Sequence, residues 1–236
     1  IKAQFRCLPE WRQVNMSQSQ INFWPIRPSI WHSVLSLLAA ITVAGSGNPL
    51  FGSQEEVVTQ RWVDEIRGSR VLKDSLFQHD ESSPLLADDR EGFTGLLYYD
   101  VDLRFRLTGR LHRYARTRQV RIPDTNGTEM FVDRIGRFEF QFDGNPFWLE
   151  VMGSTRDDDM TVYFTDPTNG ISTYPAGRYA PVLRDSDGSY LIDFNNSYNP
   201  YCAYNPSYTC PLPPPQNRLS FHVEAGERLP GPDLAH

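Results

Sequence analysis

Leu103, Phe105 and Leu107 alternate with Arg104, Arg106 and Thr108, and Phe138, Phe140 and Phe142 alternate with Arg137, Glu139 and Gln141. Side chains of an extended chain point to opposite faces in turn, so a period of two predicts strands with one dry face and one wet face. Further short strands are expected at "FWLEVM", "MTVYF", "RYAPVL", "YLIDFN" and "LSFHVE", separated by turn residues such as Asp143-Gly144, Asn169-Gly170 and Asp187-Gly188. Strands buried on both faces of a parallel sheet would read as unbroken apolar runs. The expected fold is therefore mainly β, an antiparallel β-sandwich or flattened barrel.

One helix precedes it. From Gln54, the positions Val58, Trp62, Ile66, Val71 and Leu72 recur at roughly helical spacing, with Ser53 as N-cap and Glu55 and Glu56 in the first turn. This predicts an amphipathic helix over residues 54–78, followed by a polar connection containing Pro84 and a single β-rich domain over residues 93–228. With 236 residues, 39% of them hydrophobic, the chain has ample material for such a core.

The first 47 residues read differently. The first methionine is Met16, so residues 1–15 are read as sequence upstream of a start. Arg27 and His32 then precede the apolar run Val34–Ala44 and the small residues Gly45, Ser46 and Gly47. Charge, a short apolar stretch and small residues, in that order, fit a secretory signal peptide, and the run is too short to span a bilayer as a helix. The expected location is periplasmic or secreted, with no membrane span in the mature chain. Cysteine usage agrees: apart from Cys7 in the leader, Cys202 and Cys210 form an even pair, which in an oxidising compartment is expected to close a disulfide. The spacing fits zinc poorly, since a zinc site takes closer cysteines and two more ligands, and a reactive thiol remains the other alternative.

Several function classes are disfavoured. A net charge of −6 and the lack of a lysine-rich tail argue against nucleic acid as a partner. There is no G-x-S-x-G, H-E-x-x-H, phosphate-binding glycine loop or C-x-x-C, so no cofactor and no metal is expected. Asp157, Asp158 and Asp159, and Asp185 with Asp187, lack the further oxygen ligands calcium needs and read as turns.

The most informative local geometry is the hairpin "GRYAPVLRDSDGSYLIDFN". Counting outward from a turn centred on Ser186-Asp187 sets Arg178 opposite Asn195 and Ala180 opposite Asp193. Tyr179, Pro181, Leu183, Tyr190, Ile192 and Phe194 then form the core face, and Arg178, Asp193 and Asn195 gather at one end of the other. A guanidinium beside a carboxylate and an amide can hold a ligand or can clamp the chain internally; a one-residue bulge would swap the faces. Downstream, Asn199, Asn205 and Asn217 stand beside prolines, where a side-chain amide can replace a missing backbone partner. Residues 104–121 hold seven arginines and no acid, either an anion-docking stripe or a solvated face paired with Glu139 or Glu150. His222 and Glu224 alternate with Val223 and offer a weaker acid–base pair.

"FTGLLYYDVDLRFRLTGRL", "FTDPTNGISTYPAGRY" and "LIDFNNSYNPYCAYNPSYTCPLPPPQNRLSFHVEAGE" together resemble the bacterial and archaeal domain-of-unknown-function family 1684, over about residues 83–228. The family pattern carries Gly177–Tyr179, Asp193–Asn195, Tyr198–Pro200, Cys202, Cys210, Asn217 and Ala225–Glu227. The resemblance implies no activity. Two functions are expected from the residues: an exported, non-catalytic β-domain that binds a small polar or anionic ligand or an envelope partner through Arg178, Asp193, Asn195, Tyr198, Asn199, Asn205, Asn217 and Glu224; or a hydrolase with Asp193 or Glu224 as general base and Arg178 as clamp.

Overall fold

The computed structural model describes residues 54–153, 160–185, 188–231 and 234. The expected leader, Ser53, Asp157–Asp159 and the turn at Ser186-Asp187 lie outside the described residues. The chain divides into two units, residues 1–58 and residues 59–236, and the contacts below lie within the second.

Six strands form a closed antiparallel barrel in sequence order: β1 (Arg106–Pro123), β2 (Glu129–Phe142), β3 (Asn145–Met152), β4 (Thr161–Phe164), β5 (Arg178–Arg184) and β6 (Tyr190–Asp193). β6 closes on β1 through pairs running from Arg106 with Asp193 to Gly109 with Tyr190. The alternation read from β2 holds: Phe138, Phe140 and Phe142 enter the core with Leu149, Val151, Val162, Ala180, Val182, Ile192 and Phe194. β2 turns into β3 at Asp143-Gly144, whose φ angles of +48° and +75° match the twist of a two-residue hairpin. β1 and β2 run on as a ribbon past a bulge between Arg113 and Arg118. Beyond it Val120, Ile122, Met130 and Val132 pack on Met152, Tyr163 and Tyr179, a second small core.

Three expectations need correction. The β5–β6 register differs by one residue: Arg184 pairs with Tyr190 and Val182 with Ile192. Asp185 N–H donates to Ser189 O at 2.9 Å and Gly188 N–H to Asp185 O at 3.0 Å, which gives the connection an odd number of residues. β5 is thereby turned over: Ala180 and Val182 face the core, Leu183 is exposed, and Arg178 lies on the inward side. Second, "LSFHVE" is not a strand, although Leu219, Val223 and Ala225 enter the barrel core and His222 and Glu224 are exposed, as an alternating strand would place them. Its Val223 main chain is held by the Arg178 and Asp166 side chains, and Leu219 N–H donates to Thr165 O at 2.8 Å, in place of a continuous ladder. Third, helix α1 (Gln54–His79) buries a different stripe: Ile66 and Phe77 are buried, Trp62, Arg70 and Lys73 half-buried, while Val58, Val71 and Leu72 are exposed. Positions 62, 66, 70, 73 and 77 keep helical spacing, but two of the five are cations aimed at acceptors on the barrel.

Gly226 sits where no side chain fits. Its φ is +76°, and a Cβ would lie 2.6 Å from Ser197 O and 2.7 Å from Phe194 O. Gly226→Ala is expected to lower unfolding free energy by at least about 2 kcal/mol in chemical denaturation. Gly68→Ala, in a helix with open space around it, is expected to raise it by roughly 0.5–1 kcal/mol.

Candidate functional site

Arg178 is buried without solvent exposure. One terminal nitrogen donates to Ala225 O at 2.5 Å and Glu227 O at 3.1 Å; the other donates to Val223 O at 2.7 Å and Asp166 Oδ2 at 3.1 Å. Asp166 Oδ1 in turn accepts from Val223 N–H at 3.1 Å. Alternate carbonyls of residues 223–227 thus end on one guanidinium, whose planar fork matches acceptors a strand would otherwise give to a neighbouring strand. Burial pulls Arg178 down from its ordinary pKa, and the Asp166 carboxylate beside it acts in the opposite direction. The guanidinium also lies 5.3 Å from the centroid of the Phe164 ring.

Asp193 and Asn195 belong to a separate knot. Asp193 Oδ1 accepts from Asn195 N–H at 3.0 Å and its side-chain amide at 2.9 Å, which caps the 3-10 turn Phe194–Asn196. Asp193 Oδ2 accepts from Trp62 Nε1 at 2.8 Å. The Asn195 side chain bonds Asp102 N–H and Asp102 O, both at 2.9 Å. The hairpin therefore does not bring Arg178, Asp193 and Asn195 to one open surface.

Asn217 closes a gap in the barrel. β3 and β4 share a single ladder pair, Met152 with Thr161. The Asn217 amide accepts from Glu150 N–H at 2.7 Å and donates to Glu150 O at 2.9 Å and Tyr163 O at 2.8 Å. One side chain thus supplies the hydrogen bonds of about one strand residue. Asn205 closes a local turn by accepting from Ser207 N–H at 3.0 Å. Glu224 is exposed.

Sequence reasoning missed the buried carboxylate of Glu227. It pairs with Lys73 Nζ and accepts from Asn199 N–H at 2.7 Å and the Tyr204 hydroxyl at 2.9 Å. Asn199 donates its amide to Tyr204 Oη at 3.1 Å and Arg228 O at 2.8 Å. Lys73 Nζ lies 5.2 Å from the Tyr198 ring centroid and 5.3 Å from that of Phe77. Burial, and then Glu227, pushes the Tyr204 and Tyr98 hydroxyls well above their ordinary pKa. Arg70 donates to Tyr99 O at 2.9 Å and Asn195 O at 3.2 Å, so α1 is bolted to the barrel by both of its inward cations. The available signal was the spacing of Arg70, Lys73 and Phe77 along the stripe that begins at Trp62 and Ile66.

Cys202 and Cys210 both carry thiols here. The Cys202 N–H donates to Cys210 Sγ at 3.4 Å.

Comparison with known proteins now bears on these residues. The family model "Protein of unknown function (DUF1684)" matches residues 91–228. The chain belongs to the DUF1684 family. The resemblance read from the sequence is thus borne out, and the matched span contains Asp166, Arg178, Asp193, Asn195, Asn217, the cysteines and Glu227, whereas their partners Trp62 and Lys73 precede it. An NMR structure of an uncharacterized protein from Haloarcula marismortui is similar at 30% identity, covering 73% of this chain and 97% of that one with a TM-score of 0.57. No curated protein matches the chain. What the structure adds to the DUF1684 pattern is a role for its polar residues as internal framework.

Arg178→Met is expected to cost roughly 3–5 kcal/mol, because it strands Asp166 and three carbonyls in the interior. Arg178→Lys recovers little of this, since an ammonium cannot reach the same acceptors. Glu224→Gln, at an exposed position, stays within about 0.5 kcal/mol of the parent in the same denaturation series.

Proposed function

We propose that this DUF1684 chain is an exported, non-catalytic β-domain that binds a phosphate-bearing partner of the cell envelope through exposed arginines spaced along β1. The observation that carries the reading is that Arg106, Arg110, Arg116 and Arg118 are exposed and have no ion-pair partner among the described residues. Their neighbours behave differently: Arg104 pairs with Asp102 at 2.7 Å, Arg121 with Glu129 at 3.7 Å, and Arg113 donates to Met160 Sδ at 3.4 Å.

A concentration of cations within a protein of net charge −6 has a local purpose or a local cost, since like charges on one ribbon repel. Arg106 and Arg110 share the outward face of β1, opposite the inward Leu107 and Leu111. Guanidinium groups accept phosphate oxygens in a bidentate geometry, which suits phosphorylated glycans and lipid headgroups alike. The leader pattern supports export. The hydrolase alternative lacks comparable support: both Asp193 oxygens and the terminal nitrogens of Arg178 are taken by protein partners.

Sedimentation with vesicles tests the proposal. Vesicles rich in phosphatidylglycerol are expected to retain the protein at low salt, with retention falling steeply as salt rises, and zwitterionic vesicles to leave it in solution. At on the order of 1 kcal/mol for each basic residue near an anionic surface, replacing Arg106, Arg110, Arg116 and Arg118 together by Gln weakens retention at least about tenfold. Retention of a phosphorylated glycan but not of vesicles, lost in the same variant, assigns the partner to the glycan. Indifference of the parent protein to both anions sinks the reading.

A further inference from the structure

We propose that Cys202 and Cys210 form a thiol–disulfide exchange site, with Cys202 as the attacking thiol, Cys210 as the resolving thiol and small-molecule disulfides as the substrate class. The disulfide expected from the sequence is then the oxidised state of this pair. The proposal is independent of the ribbon surface.

The two sulfurs are neighbours with unequal access. Cys202 is half-buried in the 3-10 turn Tyr201–Ala203, which Pro200 precedes, whereas Cys210 is 1% exposed. An incoming disulfide therefore meets Cys202 first. The Cys202 N–H donates to Cys210 Sγ at 3.4 Å, and the half-buried Tyr174 hydroxyl donates to Cys202 Sγ at 3.8 Å. Cys210 is held by its main chain: its N–H donates to Thr125 Oγ1 at 3.1 Å, and its carbonyl accepts from Thr125 N–H at 3.0 Å. Thr125 belongs to the tip of the β1–β2 ribbon, where Leu212 N–H also donates to Pro123 O at 2.8 Å. The resolving sulfur is therefore fixed beside the attacking one, the arrangement that turns a second bimolecular step into an intramolecular one.

Electrostatics favour the same assignment. The Cys202 thiol is pulled down to about 7, first by the hydrogen bond from Cys210 and further by Tyr174 and Thr125, against the effect of burial. A thiol whose pKa lies near ambient pH combines a substantial thiolate fraction with retained nucleophilicity. Among the described residues no third histidine, cysteine or carboxylate joins the pair to complete a metal set.

The chemistry is a pair of displacements. The Cys202 thiolate attacks one sulfur of a disulfide RS–SR; a Cys202–SR bond forms, the S–S bond breaks, and one RS⁻ leaves and takes up a proton. Cys210, on losing its own proton, attacks the Cys202 sulfur, forms the Cys202–Cys210 bond and expels the second RS⁻. Two protein thiols are oxidised and one external disulfide is reduced to two thiols.

The test uses the folded full chain, reduced, freed of reductant and mixed with glutathione disulfide at neutral pH, then acid-quenched and weighed by mass spectrometry. The parent is expected to finish as an intramolecular disulfide with no adduct and to return to dithiol with dithiothreitol. Cys210→Ser stops as a single glutathione adduct on Cys202, and Cys202→Ser reacts at least about tenfold more slowly. In the parent, the rate of Cys202 alkylation rises with pH about a midpoint near 7, and this midpoint moves upward in Cys210→Ala, which removes the donor. A disulfide that resists dithiothreitol in the folded protein, equal rates for the two serine variants, or an alkylation midpoint at the ordinary thiol value in the parent each overturns the proposal.

Discussion

The packing of residues 223–227 against this barrel depends on one buried cation. Arg178 holds the carbonyls of Val223, Ala225 and Glu227, and its partner Asp166 holds the Val223 N–H. Without that pair, residues 219–227 would have the side-chain pattern of a strand and no strand to pair with. A buried ion pair is costly to desolvate, and the energy returns only when every donor and acceptor around it is used. Here the exchange is efficient because the charged groups satisfy main-chain atoms that would otherwise be orphaned in the core.

The same logic recurs at three further points. Asn217 supplies the bonds missing between β3 and β4, Asn195 ties Asp102 to the end of β6, and Glu227 gathers Lys73, Asn199 and Tyr204. Each lets an irregular segment pack as tightly as a strand. This is the physical reason for the unusual composition of residues 193–217, rich in asparagine and proline and poor in aliphatics. Prolines 200, 206, 211, 213, 214 and 215 reduce the entropy lost on ordering, and the amides and carboxylates replace ladder bonds. Polar residues that look like a ligand site in the sequence thus serve as a frame, and the exposed arginines of β1 lie apart from it.

The barrel was legible where side-chain alternation has a single cause. Phe138, Phe140 and Phe142 alternate because one face of β2 is core, and Asp143-Gly144 is a turn because its φ angles are positive. The pattern misled wherever polar groups were buried with partners. Counting outward from a turn centred on Ser186-Asp187 puts Arg178 on the face away from the core, and the one-residue difference in the β5–β6 connection carries it inward. Leu219, Val223 and Ala225 imitated a strand because inward packing, not a ladder, sets their period. In α1, the inward Arg70 and Lys73 broke the apolar stripe, so Val71 and Leu72 stood in for it on paper while facing solvent in the fold. Carboxylate partners remote in sequence, Asp166 for Arg178 and Glu227 for Lys73, leave no local signature.

Amide hydrogen exchange on the unmodified protein tests the central claim most directly. The amides of Leu219, Val223, Glu227 and Arg228 donate to Thr165 O, Asp166 Oδ1, Ser197 O and Leu97 O. If side chains substitute for a seventh strand, the Val223 amide, held by the Asp166 carboxylate, exchanges as slowly as those of β2 and β3 and as the three amides bonded to main-chain carbonyls. Exchange at the rates of exposed loops, with the barrel strands still protected, would contradict the account, since the segment would then be ordered by packing alone.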